Sequence, residues 1–161
     1  MQKITSFQVD HIRLKPGVFV SRKDKYGDVI LTTFDLRYKA PNREPVIDQP
    51  ALHTIEHLGA TFLRSHNEWS KKVVYFGPMG CRTGFYMILE GDYKSEDVLP
   101  LLLEMYGWVD KFEGDIPGAT PAECGNWREQ NIDMAKWECK RYADILRNPS
   151  RENLEYPDGI V

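Results

Sequence analysis

Residues 51–66 read Ala-Leu-His-Thr-Ile-Glu-His-Leu-Gly-Ala-Thr-Phe-Leu-Arg-Ser-His, and the rest of the chain is interpreted outward from this stretch. Apolar residues recur in it at steps of three and four positions: Leu52, Ile55, Leu58, Phe62 and Leu63. This spacing predicts an amphipathic helix that turns one face toward a core.

His53 and His57 stand four residues apart on this helix, so their side chains lie one turn apart. Side chains at that spacing are about 5–6 Å apart at Cβ and can converge on one metal ion. Glu56 lies beside them, where a carboxylate can carry protons to and from whatever the ion holds. Two solvated histidines are the alternative, but the inner Glu makes a chance match uncommon. We interpret the motif as part of a metal site that needs a third ligand.

Length and composition favour one globular domain and exclude several classes of partner. The 161 residues are 42% hydrophobic and 28% charged, with a formal net charge of -3 and a pI near 5.8. No basic stripe suited to nucleic acid or an anionic membrane is present. The N-terminus does not read as a secretion signal, and no apolar run reaches membrane-spanning length. We therefore expect a soluble, cytoplasmic protein that binds neither nucleic acid nor membrane.

The three cysteines differ in their surroundings, and their odd number argues against a disulfide framework. Cys139 falls on the apolar stripe of a predicted helix, where it is most simply a small core residue. Cys124 lies in a turn before that helix and belongs to no stripe, which makes it the natural third ligand for His53 and His57. Two histidines and a cysteine leave one tetrahedral position open, as a catalytic metal site requires.

Cys81 lies in the loop Gly-Pro-Met-Gly-Cys-Arg-Thr-Gly over residues 77–84. Three glycines and a proline in eight residues let the backbone approach a ligand closely. A cysteine displayed on such a loop suits chemistry, and the adjacent Arg82 would favour its thiolate. An ordinary buried thiol is the alternative.

The remaining pattern predicts an α+β fold in a single domain over residues 1–161, with an antiparallel β-sheet packed against long helices. Arg37 ends the second strand on its polar face, either as a solvated residue or as an anchor for an anionic or polyhydroxylated ligand. Residues 1–16 are expected to form a solvated arm, and the polar tail after residue 148 is expected to be loose. Strands are predicted at 18–20, 29–38, 73–76 and 85–89, and helices at 51–66, 96–112 and 129–146.

Three motifs in order make the chain resemble the S-ribosylhomocysteine lyase family, the LuxS proteins of autoinducer-2 synthesis. They are His-Thr-Ile-Glu-His from residue 53, the residue 77–84 loop, and Glu-Cys-Gly-Asn from residue 123. The likeness extends from Ser-Phe-Gln-Val-Asp-His at residues 6–11, through Phe-Asp-Leu-Arg-Tyr-Lys-Ala-Pro-Asn at 34–42, to the last helix. It departs at Tyr75, where many members have an acidic residue, and at Pro16-Gly17, where many have Ala-Pro.

The resemblance implies a homodimer with its active sites at the subunit interface. It also implies one divalent metal ion per subunit, ferrous iron in the cell, with zinc as the alternative in purified protein. Two residues of the arm expected to be solvated, Ser6 and His11, thereby become expected site residues. By resemblance the metal ligands are His53, His57 and Cys124, the acid/base pair is Cys81 and Glu56, and the residues that position the substrate are Ser6, His11, Arg37 and Arg64.

The implied reaction cleaves S-ribosylhomocysteine to homocysteine and 4,5-dihydroxy-2,3-pentanedione, the autoinducer-2 precursor, without a redox cofactor. In that reaction a bound metal would act as a Lewis acid on the opened ribose, while Cys81 and Glu56 would shuttle protons. The carbonyl migrates from the first carbon to the third, and loss of the neighbouring proton then expels homocysteine thiolate by β-elimination.

Two other interpretations of the helix motif remain. His-x-x-Glu-His is also the inverted zincin motif of metallopeptidases, which normally take a carboxylate as third ligand and have no use for a cysteine loop. A structural zinc site in a binding domain is the second, although such sites usually close with a fourth protein ligand. A bound metal with an open position would separate this second alternative from the enzymes.

Overall fold

The computed structural model describes residues 7–157. Its sheet begins with a long β-hairpin. β1 (Gly17–Tyr26) and β2 (Val29–Arg37) pair antiparallel and turn at Gly27, whose φ of 62° is a left-handed conformation that glycine adopts freely. β1 extends well beyond its predicted end, because backbone hydrogen bonds to β2 hold its polar second half without an apolar pattern.

Two further strands complete an antiparallel sheet of order β1-β2-β4-β3. β3 (Val73–Pro78) and β4 (Gly84–Glu90) flank the loop that carries Cys81, and β4 pairs with β2. The predicted α+β class with an antiparallel sheet is confirmed.

Residues 7–157 contain three α-helices: α1 (Gln49–Ser65), α2 (Leu99–Asp110) and α3 (Ile132–Arg147). Of these, α1 and α3 contact the sheet, and α2 packs against both of them. α2 starts later than predicted because a 3₁₀ turn, in which the Asp97 carboxylate accepts from the Lys94 amide at 2.7 Å, takes the first residues. α3 starts at Ile132 because Asn131 caps it and accepts from the Met134 amide at 3.1 Å. None of the helices within residues 7–157 combines the length and the hydrophobicity that a membrane span needs.

The apolar core lies between the helices and one face of the sheet. Gly59 of α1 packs on Phe76 of β3 so closely that a Cβ at Gly59 would lie 2.5 Å from the ring. Cys139 is fully buried in this core, as predicted. The sheet contributes inward side chains that face one another across the strands, namely Val18, Phe34, Leu36, Phe85 and Met87.

Side chains alternate between faces along a strand, so Asp35, Arg37 and Tyr86 point to the face opposite the helices. We call this the outer face. The C-terminal tail crosses it, with the Tyr156 ring stacked on Phe19 at a centroid distance of 4.8 Å. The prediction of a loose tail is therefore wrong over the described residues, because stacking and hydrogen bonds that composition does not reveal hold the tail to the sheet.

Candidate active site

Among the described residues, His53, His57 and Cys124 form a group that could hold a metal ion. α1 presents both histidines on the side away from its buried stripe, and the loop before α3 brings Cys124 to them. All three ligand atoms lie within 4.8 Å of one another. The two Nε2 atoms are 3.0 Å apart, and Cys124 Sγ is 3.4 Å from His53 Nε2. The structure thus brings together the three residues predicted as ligands.

Backbone carbonyls orient both imidazole rings. Nδ1 of His53 lies 3.0 Å from the Glu129 carbonyl oxygen, and Nδ1 of His57 lies 2.6 Å from that of Pro117. Since a carbonyl only accepts, each Nδ1 donates to it, and this contact turns each Nε2 toward the group. Two Nε2 atoms and one sulfur at these distances can bind one cation together. The donor set of two imidazoles and one thiolate fits zinc or ferrous iron.

Glu56 and Arg64 lie on the same side of α1 as the two histidines. Glu56 Oε2 is 3.9 Å from His57 Nε2, and its side chain is 35% exposed. Arg64 follows His57 by seven residues, two helical turns or about 10 Å along the axis. Its guanidinium donates to the Val74 carbonyl at 3.2 Å. Glu56 therefore stands close enough to exchange protons with a molecule held at the group, while Arg64 lies farther along the same surface.

Cys81 is exposed at the tip of the loop between β3 and β4. Its Sγ lies 3.1 Å from Thr83 Oγ1 and 3.9 Å from Arg37 Nη1. Burial alone would raise the pKa of Cys81, but the Thr83 hydroxyl and amide and the Arg37 charge outweigh it, so the pKa lies below its ordinary value. The cation that favours the thiolate is thus Arg37, and the prediction that Arg82 plays this part is wrong. Arg82 instead shapes the loop with a φ of 57°.

A buried ion pair holds the Arg37 guanidinium in place beside Cys81. Nε and Nη2 of Arg37 donate to the two carboxylate oxygens of Asp35 at 3.0 and 2.6 Å, and both side chains are at most 4% exposed. Burial would lower the pKa of Arg37, but the Asp35 charge outweighs it and raises the pKa, so the guanidinium stays charged. Of the two alternatives for Arg37, the solvated strand end is wrong because the side chain is buried. Its role as an anchor for a ligand stays a prediction.

A cavity of about 420 Å³ opens beside Cys81 on the outer face. Three predicted site residues line it: His11, Arg37 and Cys81. The His11 ring is held by its Nδ1, which donates to the Val9 carbonyl at 2.8 Å. Ser6, also predicted as a site residue, lies outside the described residues.

The sheet separates the cavity from the metal-binding group. The cavity uses side chains of the outer face, whereas α1 packs on the opposite face. No member of the metal-binding group lines the cavity. We name the two sets the metal half-site (His53, Glu56, His57 and Cys124) and the cysteine half-site (His11, Arg37 and Cys81); within the described chain they do not meet.

Sequence reasoning missed the side chains and carbonyls that support these two half-sites. Asp35 lies two residues before Arg37 on the same strand face, and Thr83 follows Cys81 by two residues. The contacts of Asp35 with Arg37 and of Thr83 with Cys81 could therefore have been predicted from sequence spacing. The carbonyls of Pro117 and Glu129 gave no such signal, because they act through the backbone.

Comparison with known proteins shows which proteins this chain resembles. The model of the S-ribosylhomocysteinase (LuxS) family matches residues 4–152. An S-ribosylhomocysteine lyase of Clostridium acetobutylicum is 56% identical over 158 residues, which cover 98% of this chain and 100% of the relative. One of Borreliella burgdorferi is 55% identical over 157 residues, with 98% and 100% covered. One of Desulfotalea psychrophila is 53% identical over 158 residues, with 98% and 99% covered.

Proposed function

The chain belongs to the S-ribosylhomocysteinase (LuxS) family, and on that basis we propose that it is a metal-dependent lyase that cleaves S-ribosylhomocysteine to homocysteine and 4,5-dihydroxy-2,3-pentanedione. Relatives that share more than half of their aligned residues with it are named S-ribosylhomocysteine lyase. The observation that best supports metal dependence is the convergence of two imidazole Nε2 atoms and one cysteine sulfur beside Glu56.

The proposal assigns one divalent ion, ferrous iron in the cell or zinc in purified protein, to His53, His57 and Cys124. Three protein donors are the number typical of catalytic zinc sites, whereas structural sites usually have four. A bound ion supplies Lewis-acid polarisation of the sugar oxygens, which acidifies the neighbouring C–H bonds. The cysteine among the donors also argues against the peptidase interpretation, which expects a carboxylate there.

Cys81 and Glu56 are proposed to move the protons. The Cys81 thiolate, held by Thr83 and Arg37, takes a proton from one sugar carbon and returns it to the next, while the Glu56 carboxylate relays hydroxyl protons. Two such rounds move the carbonyl from the first carbon to the third. Removal of the proton on the fourth carbon then breaks the bond between the fifth carbon and sulfur, and homocysteine leaves as the thiolate.

Substrate positioning is assigned to Ser6, His11, Arg37 and Arg64, which hold the hydroxyl and homocysteine portions. Two of these, His11 and Arg37, line the cavity beside Cys81. Arg64 lies instead on the surface of α1 that carries the metal half-site. The proposal therefore requires the substrate to reach both half-sites at once.

A homodimer would satisfy this requirement. Because the two half-sites lie on opposite faces of one sheet, we propose that the metal half-site of each subunit faces the cysteine half-site of its partner. A two-fold axis then generates two identical composite sites. The proposed setting is the cytoplasm, where thiols stay reduced, and the dicarbonyl product is proposed to serve as an autoinducer precursor.

The test is release of free thiol on mixing metal-loaded, anaerobically purified protein with S-ribosylhomocysteine. We expect release that a chelator abolishes and added metal restores. Cys81→Ser should keep its metal and stop turnover, because a hydroxyl is a far weaker acid than a thiol. The control Cys139→Ala changes a thiol buried in the core and should keep both properties. Absence of release from protein with verified metal would refute the proposal and favour a peptidase.

A further inference from the structure

We propose that Tyr156, which the C-terminal tail brings to the outer face, is a positioning residue that holds Cys81 as a thiolate through Asp35 and Arg37. The inference rests on the proposed role of Cys81 in moving protons. It gives the tail a part in the reaction that neither the sequence motifs nor the comparisons assign to it.

Hydrogen bonds connect Tyr156 to Cys81 with a defined direction. The Tyr156 hydroxyl donates to Asp35 Oδ2 at 2.9 Å, and Arg37 Nη2 donates to the same oxygen at 2.6 Å. Arg37 Nη1 donates to Thr83 Oγ1 at 2.6 Å. Because a guanidinium only donates, the Thr83 hydroxyl accepts there and keeps its own hydrogen for Cys81 Sγ, 3.1 Å away. The hydrogen bonds from Tyr156, Arg37 and Thr83 therefore all favour the thiolate form of Cys81.

The Tyr156 hydroxyl changes how strongly Arg37 acts on the sulfur. Its dipole turns a partial positive charge toward Asp35, so that Arg37 no longer neutralises this carboxylate alone. More of the Arg37 charge is then available to Cys81, 3.9 Å from Nη1. The Asp35–Arg37 pair is buried, where dipoles act more strongly than in water.

The tail is held so that the hydroxyl is fixed in position. The Tyr156 ring stacks on Phe19 with an interplanar angle of 8°. Two residues earlier, the Leu154 carbonyl accepts from the Ser95 hydroxyl at 2.8 Å. Burial, with the Asp35 charge added, raises the pKa of Tyr156, so the phenol keeps its hydrogen at neutral pH.

The other titratable side chains of the cavity are the same in the unmodified chain and in a chain in which only Tyr156 is changed. Tyr86 faces the same space, and burial raises its pKa, which keeps it neutral. His11 and Glu44 also line the cavity, and Glu44 pairs with Arg141. None of these side chains is altered when Tyr156 alone is changed.

The experiment measures the pH dependence of Cys81 alkylation by iodoacetamide in metal-loaded protein, with peptide mapping to isolate this thiol. Tyr156→Phe keeps the ring and removes only the hydroxyl. We expect the midpoint of its profile to move to higher pH, so that alkylation below the midpoint is about threefold slower than in the unmodified chain, equivalent to about half a pKa unit. The control Tyr26→Phe alters a tyrosine that is 67% exposed on the β1–β2 hairpin and should leave the profile unchanged.

A second variant, Tyr156→Leu, removes the ring as well as the hydroxyl. Its alkylation profile shows how much the packing of the ring contributes, apart from the hydrogen bond to Asp35. If Tyr156→Phe has the same profile as the unmodified chain, the tail acts by packing alone and the inference is wrong, whatever Tyr156→Leu does. Alkylation requires no turnover. A shifted profile in a protein that releases no homocysteine would therefore support this inference and refute the proposed function.

Discussion

Two inactive variants are expected to restore activity to each other, because each composite site is proposed to draw its half-sites from different subunits. Cys81→Ser destroys the cysteine half-site and leaves the metal half-site intact. Cys124→Ala does the reverse. In a mixed dimer, one site combines the two intact half-sites and the other combines the two defective ones, so one site of two can turn over.

The size of the recovery follows from this geometry. Random exchange of equal amounts makes half of the dimers mixed, and each has one working site, so the mixture should reach about a quarter of the unmodified rate. Homocysteine release is measured with a thiol reagent after subunit exchange, and native mass spectrometry gives the mixed fraction. A matched control pairs Cys124→Ala with His57→Ala, which share the defective half-site and should stay inactive. No recovery at a verified mixed fraction would refute the arrangement across subunits.

Three further outcomes are expected. Cys124→Ala should weaken metal binding by at least about 100-fold in a competition titration, since loss of a residue that merely supports a ligand costs about 10–100-fold; unchanged occupancy would mean another third ligand. Thr83→Val should raise the pKa of Cys81 toward its ordinary value, because Thr83 contributes most to lowering that pKa. The midpoint of the Cys81 alkylation profile should therefore move to higher pH, and an unmoved midpoint would contradict the role of Thr83. Gly59→Ala should destabilise the protein by about 1–3 kcal/mol in urea unfolding, because its Cβ would collide with Phe76. The control Gly107→Ala on α2 has open space at its Cβ and should stabilise the protein by about 0.5–1 kcal/mol. Equal effects of the two substitutions would contradict the close approach of α1 to the sheet.

Periodic features were predictable from the sequence because they depend on local spacing. Most of the apolar residues spaced at three and four positions in α1 are buried, and His53 and His57, four residues apart, lie side by side on the helix. Cys124 could be singled out because it belonged to no apolar stripe. The order of the strands in the sheet was not predicted, since it depends on packing between distant segments.

Interactions between distant segments were the least predictable part of the site. Arg82 is adjacent to Cys81 in sequence, yet Arg37, 44 positions away, supplies the charge. The tail looked loose because its composition is polar, yet Tyr156 stacks on Phe19 and binds Asp35. In both cases sequence separation gave no measure of the distance in the fold.

The position of the sheet also bears on how a newly made chain would acquire the proposed ion. A low-pKa thiolate is itself a strong ligand for soft divalent metals. If Cys81 could reach His53 and His57 in its own chain, it would compete with Cys124 and trap the ion in a misassembled complex. The sheet keeps Cys81 on the other face, so that a chain binding the proposed ion through Cys124 would meet no competition from its own Cys81 thiol.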